Sequence, residues 1–140
     1  KKFKVEEEKA RKKALETIDF LGLTARKNEI AKNISTFEQR KLMIAIALVR
    51  EPKLLLLDEP AAGTTREEQS SLIDLVYKIR DSGVSVIVVE HHMHLIMNLC
   101  DRIVVFNQGE KIGDDKPENI RNNPKVIEAY LGREDDEDAS

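Results

Sequence analysis

The run Leu54-Leu-Leu-Leu57 followed at once by Asp58 and Glu59 constrains this chain more than any other segment. Four consecutive large aliphatics are too short for a helix and too apolar for a surface strand. They read as a strand buried on both faces, which is characteristic of parallel sheets. A second such segment, Val84 to Val89, is β-branched throughout apart from Ser85 and ends in Glu90 and His91. Between the two, Thr64 and Thr65 precede Glu67 and Glu68 at capping-box spacing, Leu72, Leu75, Val76 and Ile79 mark one helical face, and Gly83 supplies the stop. Strand, helix and strand make a βαβ unit, whose crossover should be right-handed.

The flanking segments are read in the same way. Ala14, Leu15, Ile18 and Leu21 give an amphipathic helix over about Lys4 to Leu21, ended by Gly22, and its "EEEKARKK" run is a solvated, alternately charged face. Ser35 and Thr36 with Glu38 and Gln39 form a second capping-box pattern, opening a helix through Val49 that Pro52 closes. Beyond His91 the sequence predicts a helix over His92 to Leu99 and a strand over Arg102 to Phe106. A turn at Asn107 to Gly109 leads to a short strand at Glu110 to Ile112. Pro117 opens a short helix, Asn122 and Asn123 interrupt it, and a last helix runs to Leu131 before the acidic tail "REDDEDAS", expected to be disordered.

Composition removes several classes of function. The formal net charge of −3, with both signs interleaved, lacks the basic stripe of a nucleic-acid binder. Aromatics at 4% and no Trp argue against stacking platforms for sugars or single strands. The longest apolar stretch, Leu42 to Val49, cannot cross a bilayer, and the charged N-terminus lacks the apolar segment of a signal peptide. Cys100 is the only cysteine, so no internal disulfide forms; a reducing, cytoplasmic compartment is expected, with Cys100 as a small buried hydrophobe. The 140 residues suit one domain.

Ligands of open parallel sheets collect at the carboxyl ends of the strands. Here that end gathers Asp58, Glu59, Glu90 and His91. An aliphatic strand ending in two carboxylates suits a hard cation: Asp58 can hold Mg²⁺ through its water shell while Glu59 orients or deprotonates a water. The plainer reading of an isolated Asp-Glu pair is a cap or a solvated strand end. His91, His92 and His94 could suggest a metal site, with His91 and His94 sharing a helical face, but three histidines on one helix supply no closed tetrahedral shell.

The series "STFEQRKLMIAIALVREPKLLLLDEPAAG" and then "VIVVEHHM" resembles the signature, Walker B, D-loop and switch-histidine segments of ABC ATPases in order and spacing. The "DEPAAG" form and the ending "NQGEKIGDDKPENIRNNPKVIEAYLG" most resemble the ATP-binding subunits of branched-chain amino acid importers. The resemblance implies an α/β fold: a partial P-loop-NTPase-like parallel sheet with flanking helices, part of the helical subdomain over 1–50, a Walker B to C-terminal region over 51–132, and a tail over 133–140. It assigns Asp58 to Mg²⁺, Glu59 to the catalytic carboxylate and His91 to the γ-phosphate contact. Ser35, Thr36, Glu38 and Gln39 would touch the ATP of an opposite subunit, and Pro60 to Gly63 would cross to that partner. ATP and Mg²⁺ are the implied cofactors. A second ATPase subunit and transmembrane permease subunits are the implied partners, with the assembly at the inner face of the cell membrane.

Three departures qualify these expectations. The six glycines nowhere form G-x-x-x-x-G-K-[ST], so the chain has no cradle for the β- and γ-phosphates. By the resemblance it starts inside the helical subdomain, as a truncated or excised piece, and is expected to be inactive alone. The usual Leu-Ser-Gly-Gly-Gln signature is also replaced by Ile34, Ser35, Thr36, Phe37 and Glu38. Phe37 adds bulk where glycine lets backbone N–H groups approach phosphate. Glu38 sets a carboxylate near the γ-phosphate, where like charges about 4 Å apart repel by roughly 4 kcal/mol at an effective dielectric of about 20. Thr65 stands where the D-loop usually has Asp or Asn. The rival to the transporter reading is a stand-alone interaction module of ABC-like architecture.

Overall fold

The computed structural model describes residues 2–131; the predicted acidic tail lies outside them. Helix α1, Lys2–Phe20, closes in a Schellman motif: Gly22 takes φ 67°, Leu23 N–H donates to the Ile18 carbonyl (2.9 Å) and Gly22 N–H to that of Asp19 (2.9 Å). Leu21 and Leu23 are buried, whereas Leu15, expected on the inner face, is exposed. Helix α2, Thr36–Leu48, is followed by strand β1, Leu54–Asp58, helix α3, Arg66–Asp81, and strand β2, Ser85–Val89. The expected stripe of α3, Leu72, Leu75, Val76 and Ile79, is its buried stripe.

β1 and β2 pair in parallel, Leu54 against Ser85 through Asp58 against Val89. This parallel pair matches the expectation, but burial on both faces of β1 does not. Leu55 and Leu57 are covered by the core that contains α3, while Leu54 and Leu56 on the other face are exposed, Leu56 at 67%. Ile87 and Val89 of β2 share that open face. The strand carries a residue pattern for two covering layers, and the described residues supply one.

Helix α4, Met93–Leu99, joins the two halves of the core. Leu95 and Leu99 pack with Leu55, Leu72 and Ile79, and Met93 and Ile96 pack with Ile103, Val105, Ile120 and Val126. Cys100, at its end, is half-buried, and burial pushes its thiol up, which fits an inert residue. Strand β3, Ile103–Asn107, pairs antiparallel with β4, Glu110–Asp115, around a turn in which Gln108 and Gly109 both have positive φ, as a two-residue hairpin loop requires. β4 runs three residues beyond the predicted Ile112. A bulge between Val105 and Phe106 leaves Ile112 without a partner in the register, and pairing resumes from Gly113 to Asp115. Helices α5, Pro117–Arg121, and α6, Pro124–Val126, follow, and α6 continues as a π turn over Ile127–Leu131. Among the described residues β2 and β3 each pair on one side only, and they line a groove of about 800 Å³ with α4. No described helix is long and apolar enough to cross a membrane.

Two predictions follow from this packing. Leu72→Ala, at a site with no exposure, lowers the unfolding free energy by about 2–5 kcal/mol, while Leu56→Ser on the open face changes it by no more than about 0.5 kcal/mol, both read from urea midpoints at constant slope. In the hairpin, Arg102 Nε (2.8 Å) and Lys111 Nζ (3.0 Å) donate to Asp114 and hold its carboxyl at about 2, below the unfolded value of about 3.9. Asp114 therefore stabilises the fold fully above about pH 4, and that contribution disappears as the pH falls towards 2. Acid titrations followed by circular dichroism should show this loss in the native chain and not in Asp114→Asn.

Candidate functional site

The parallel register sets the two strand ends side by side, and the Glu59 N–H adds one more rung by donating to the Val89 carbonyl (2.8 Å). The chain then turns sharply, because Glu59 adopts the left-handed region at φ 45°, an uncommon conformation for a residue with a β-carbon. His91 Nδ1 lies 3.6 Å from Glu59 Oε1, and both side chains face solvent (60% and 57% exposed). Asp58, at the last position of β1, is exposed as well. Asp58, Glu59 and His91 thus share one edge of the sheet, as the sequence predicted.

The neighbouring Glu90 is different. Its side chain is fully covered: Oε1 accepts from Ala61 N–H (2.8 Å), and Oε2 from His91 N–H (3.1 Å) and the His92 ring at Nδ1 (2.8 Å). Burial by itself would push this carboxyl up. The His92 bond and the N–H groups of Ala61, His91 and His92 outweigh it and hold the carboxyl below its ordinary range. An ionised Glu90 accepts only, so His92 carries its hydrogen on Nδ1. Ligating atoms of Glu90, His91 and His92 lie within 4.8 Å of one another, yet the carboxylate oxygens are occupied by these donors. His91 and His92 precede α4, and His92 is its N-cap, so His91 and His94 do not share a helical face. His92 takes an extended backbone (φ −74°, ψ 97°), so the helix begins only at Met93.

The second group of predicted residues sits at the start of α2. Ser35 is the N-cap: its hydroxyl accepts from Glu38 N–H (3.1 Å), and its own N–H donates to Glu38 Oε2 (2.9 Å). The other oxygen of Glu38 accepts from Arg26 Nε (2.9 Å); that bond, with the Ser35 N–H, holds the carboxyl below its ordinary range. Gln39 donates to the Ile34 carbonyl (3.1 Å), Thr36 is exposed, and half-buried Phe37 packs on the main core. None of the hydrogen bonds of Ser35, Thr36, Glu38 or Gln39 reaches Asp58, Glu59 or His91. Thr65 caps α3 in a second capping box with Glu68 (3.2 and 2.9 Å).

Arg40 connects the two groups, and sequence reasoning missed it. From α2 its Nη1 donates to the carbonyls of Pro60 (2.7 Å) and Ala62 (2.9 Å), in the loop that follows Glu59. A signal was available: Arg40 lies one turn before the buried Ile44, a cation on the inward stripe that needs acceptors there.

Adjacent parallel strands ending in Asp-Glu and Glu-His, with a capped helix tied to the loop after the first, have the arrangement of an α/β ligand site at the carboxyl ends of its strands. Comparison with known proteins agrees. Residues 1–62 match the ABC transporter family, and residues 110–136 match the branched-chain amino acid ATP-binding cassette transporter family. The chain is similar to the ATP-binding proteins of ABC transporters. It is 40% identical over 131 residues to the high-affinity branched-chain amino acid transport ATP-binding protein LivG of Salmonella typhimurium, and 41% to the high-affinity branched-chain amino acid transport ATP-binding protein BraF of Pseudomonas aeruginosa. Each alignment covers 93% of this chain and 51% of the relative, so the chain spans about half the length of the curated relatives it matches. Among solved structures, the ADP conformation of MJ1267, an ATP-binding cassette of an ABC transporter, superposes with a TM-score of 0.82 at 26% identity, over 89% of this chain and 50% of that one. A nucleotide-free cassette gives 0.81 at 27% identity, over 88% and 50%.

The capping box can be tested directly. Ser35→Ala removes the hydroxyl that accepts Glu38 N–H and lowers stability by about 1 kcal/mol; Ser35→Asp, which keeps an acceptor, restores most of it in thermal unfolding.

Proposed function

We propose that this chain supplies the metal and water end of an ATP site in the ATP-hydrolysing subunit of a branched-chain amino acid importer. The observation that carries the reading is the approach of Glu59 to His91 (3.6 Å) at the ends of two parallel strands. The donor set fits the cofactor the family implies: Asp58 is an exposed hard-oxygen ligand able to hold Mg²⁺ through water, whereas the Glu90 oxygens are occupied by N–H groups. Bound there, Mg²⁺ would neutralise phosphate charge. Glu59 accepts the proton of, or orients, the attacking water, since its carboxylate is open to solvent and its backbone is fixed on the Val89 carbonyl. His91 faces the same opening and donates a hydrogen bond to the terminal phosphate. The phosphate cradle, the second ATPase subunit and the permease belong to the whole protein. The division at about residue 50, between helical subdomain and Walker B region, follows the same reading, as does assembly at the inner face of the membrane.

The interaction-module reading draws on a different observation. The capping box engages Ser35 and Glu38, and the edges of β2 and β3 stand open. The two readings part in a protein that joins this chain to a phosphate-binding half. Glu59→Gln abolishes steady-state ATP turnover there while ATP affinity holds; unchanged turnover removes Glu59 from catalysis, and a joined protein with no turnover at all favours the module. Calorimetry with the chain alone is expected to give Mg·ATP affinity no tighter than millimolar, and micromolar affinity would overturn the account of the missing cradle.

A further inference from the structure

We propose that Arg40 and Glu90 are positioning residues: together they clasp the loop Pro60–Ala62 from opposite sides and link the start of α2 to the switch histidine through it. The catalytic consequence rests on the function proposed above; the clasp itself does not.

The loop leaves β1 through the left-handed Glu59, a backbone state that persists only where its surroundings over-determine it. Arg40 holds the carbonyls on either side of Ala61, at 2.7 and 2.9 Å, through one guanidinium nitrogen. Glu90 holds the N–H of Ala61 itself at 2.8 Å. The groups alternate along the backbone: carbonyl to Arg40, N–H to Glu90, carbonyl to Arg40. The Pro60–Ala61 peptide cannot rotate without breaking a bond on both sides, to Arg40 at its carbonyl and to Glu90 at its N–H; the Ala62–Gly63 peptide is held by Arg40 at its carbonyl. Ala61 is 1% exposed, so water cannot replace those bonds.

The other oxygen of Glu90 grips the segment that carries the histidines, through His91 N–H and the His92 ring. One covered carboxylate therefore ties the backbone two residues after Glu59 to the backbone of His91. Arg40 extends the tie to α2, five residues after its N-cap Ser35. A shift of α2 moves Pro60 and Ala62, and through Ala61 and Glu90 it moves His91. These are side-chain bonds across 20 and 29 residues of sequence, so the coupling depends on tertiary structure alone.

The test reads the clasp in the 140-residue chain by NMR. In the native chain His92 is expected as the Nδ1–H tautomer, and the Ala61 amide as protected from exchange. Glu90→Ala should accelerate Ala61 exchange at least about ten-fold, the scale of one buried hydrogen bond, and release the His92 tautomer. Glu90→Gln, which keeps an acceptor for one of the two grips, should retain part of each signal and serves if the alanine variant unfolds. Arg40→Ala is the decisive variant: it touches neither histidine, yet it should shift the ring resonances of His91 and His92. Unchanged histidine resonances in a folded Arg40→Ala, or a still-protected Ala61 in Glu90→Gln and Glu90→Ala alike, overturn the clasp. In the protein joined to a phosphate-binding half, Glu90→Gln and Arg40→Ala should each lower kcat with KM for ATP unchanged. If Glu59→Gln leaves turnover intact there, the catalytic reading falls, while the NMR result still decides the clasp.

Discussion

Parallel pairing of two five-residue strands is the interaction on which the rest of this structure depends. It does two things at once. It turns Leu55 and Leu57 towards the core that α3 completes, and it brings the ends of β1 and β2 into register so that Asp58 and Glu59 meet Glu90 and His91. A slip of one residue would undo both, because every side chain would change faces. Leu54 and Leu56 would move into the core, and Glu59 would lose the Val89 carbonyl that closes its turn. Core packing and site geometry are therefore selected by the same register, and α3 secures it with a capping box at one end and four buried residues along its length.

Much of this was legible in the sequence where the signal is local. The buried stripe of α3, both capping boxes, the Schellman glycine of α1 and the Gln108-Gly109 turn follow from patterns a few residues long, and these the fold has no reason to override. The misses depend on what lies across the fold. Leu54 and Leu56 have the composition of a covered strand, and nothing in their own sequence says whether the second layer is present among the described residues. α4 starts one residue later than its sequence suggests, with His91 off its face, because His92 is extended and its ring is held by Glu90, a carboxylate that also binds Ala61, 29 residues back. Of the candidate site, Asp58, Glu59 and His91 were visible as strand-end polar groups. Arg40 was marked only by its place one turn before the buried Ile44; its acceptors are backbone carbonyls, which carry no sequence signature.

The start of α2 shows how one set of atoms can serve two purposes. A helix N-terminus offers free N–H groups and a positive dipole end, which is why anions bind there. In this chain Glu38 supplies that anion from within: one carboxylate oxygen takes the Ser35 N–H, and the other takes Arg26. A phosphate approaching the same N–H groups competes with an internal carboxylate already in place and already paired with a guanidinium. Phe37 is committed to the core as well, so the segment is stable as a helix start without any ligand.

The strand-end residues face the opposite situation. Asp58, Glu59 and His91 are held by backbone bonds and by their neighbours, and their functional atoms stay exposed. The left-handed turn at Glu59, the filled oxygens of Glu90 and the two carbonyls on Arg40 together hold the backbone that carries Glu59 and His91. Such fixation matters for chemistry, because a dipole or base that is already oriented costs no reorganisation when charge develops. The arrangement also explains how half the length of a cassette can retain a well-formed site edge. The bonds that shape that edge run between α2, the loop after β1 and the end of β2, all of which lie within this chain.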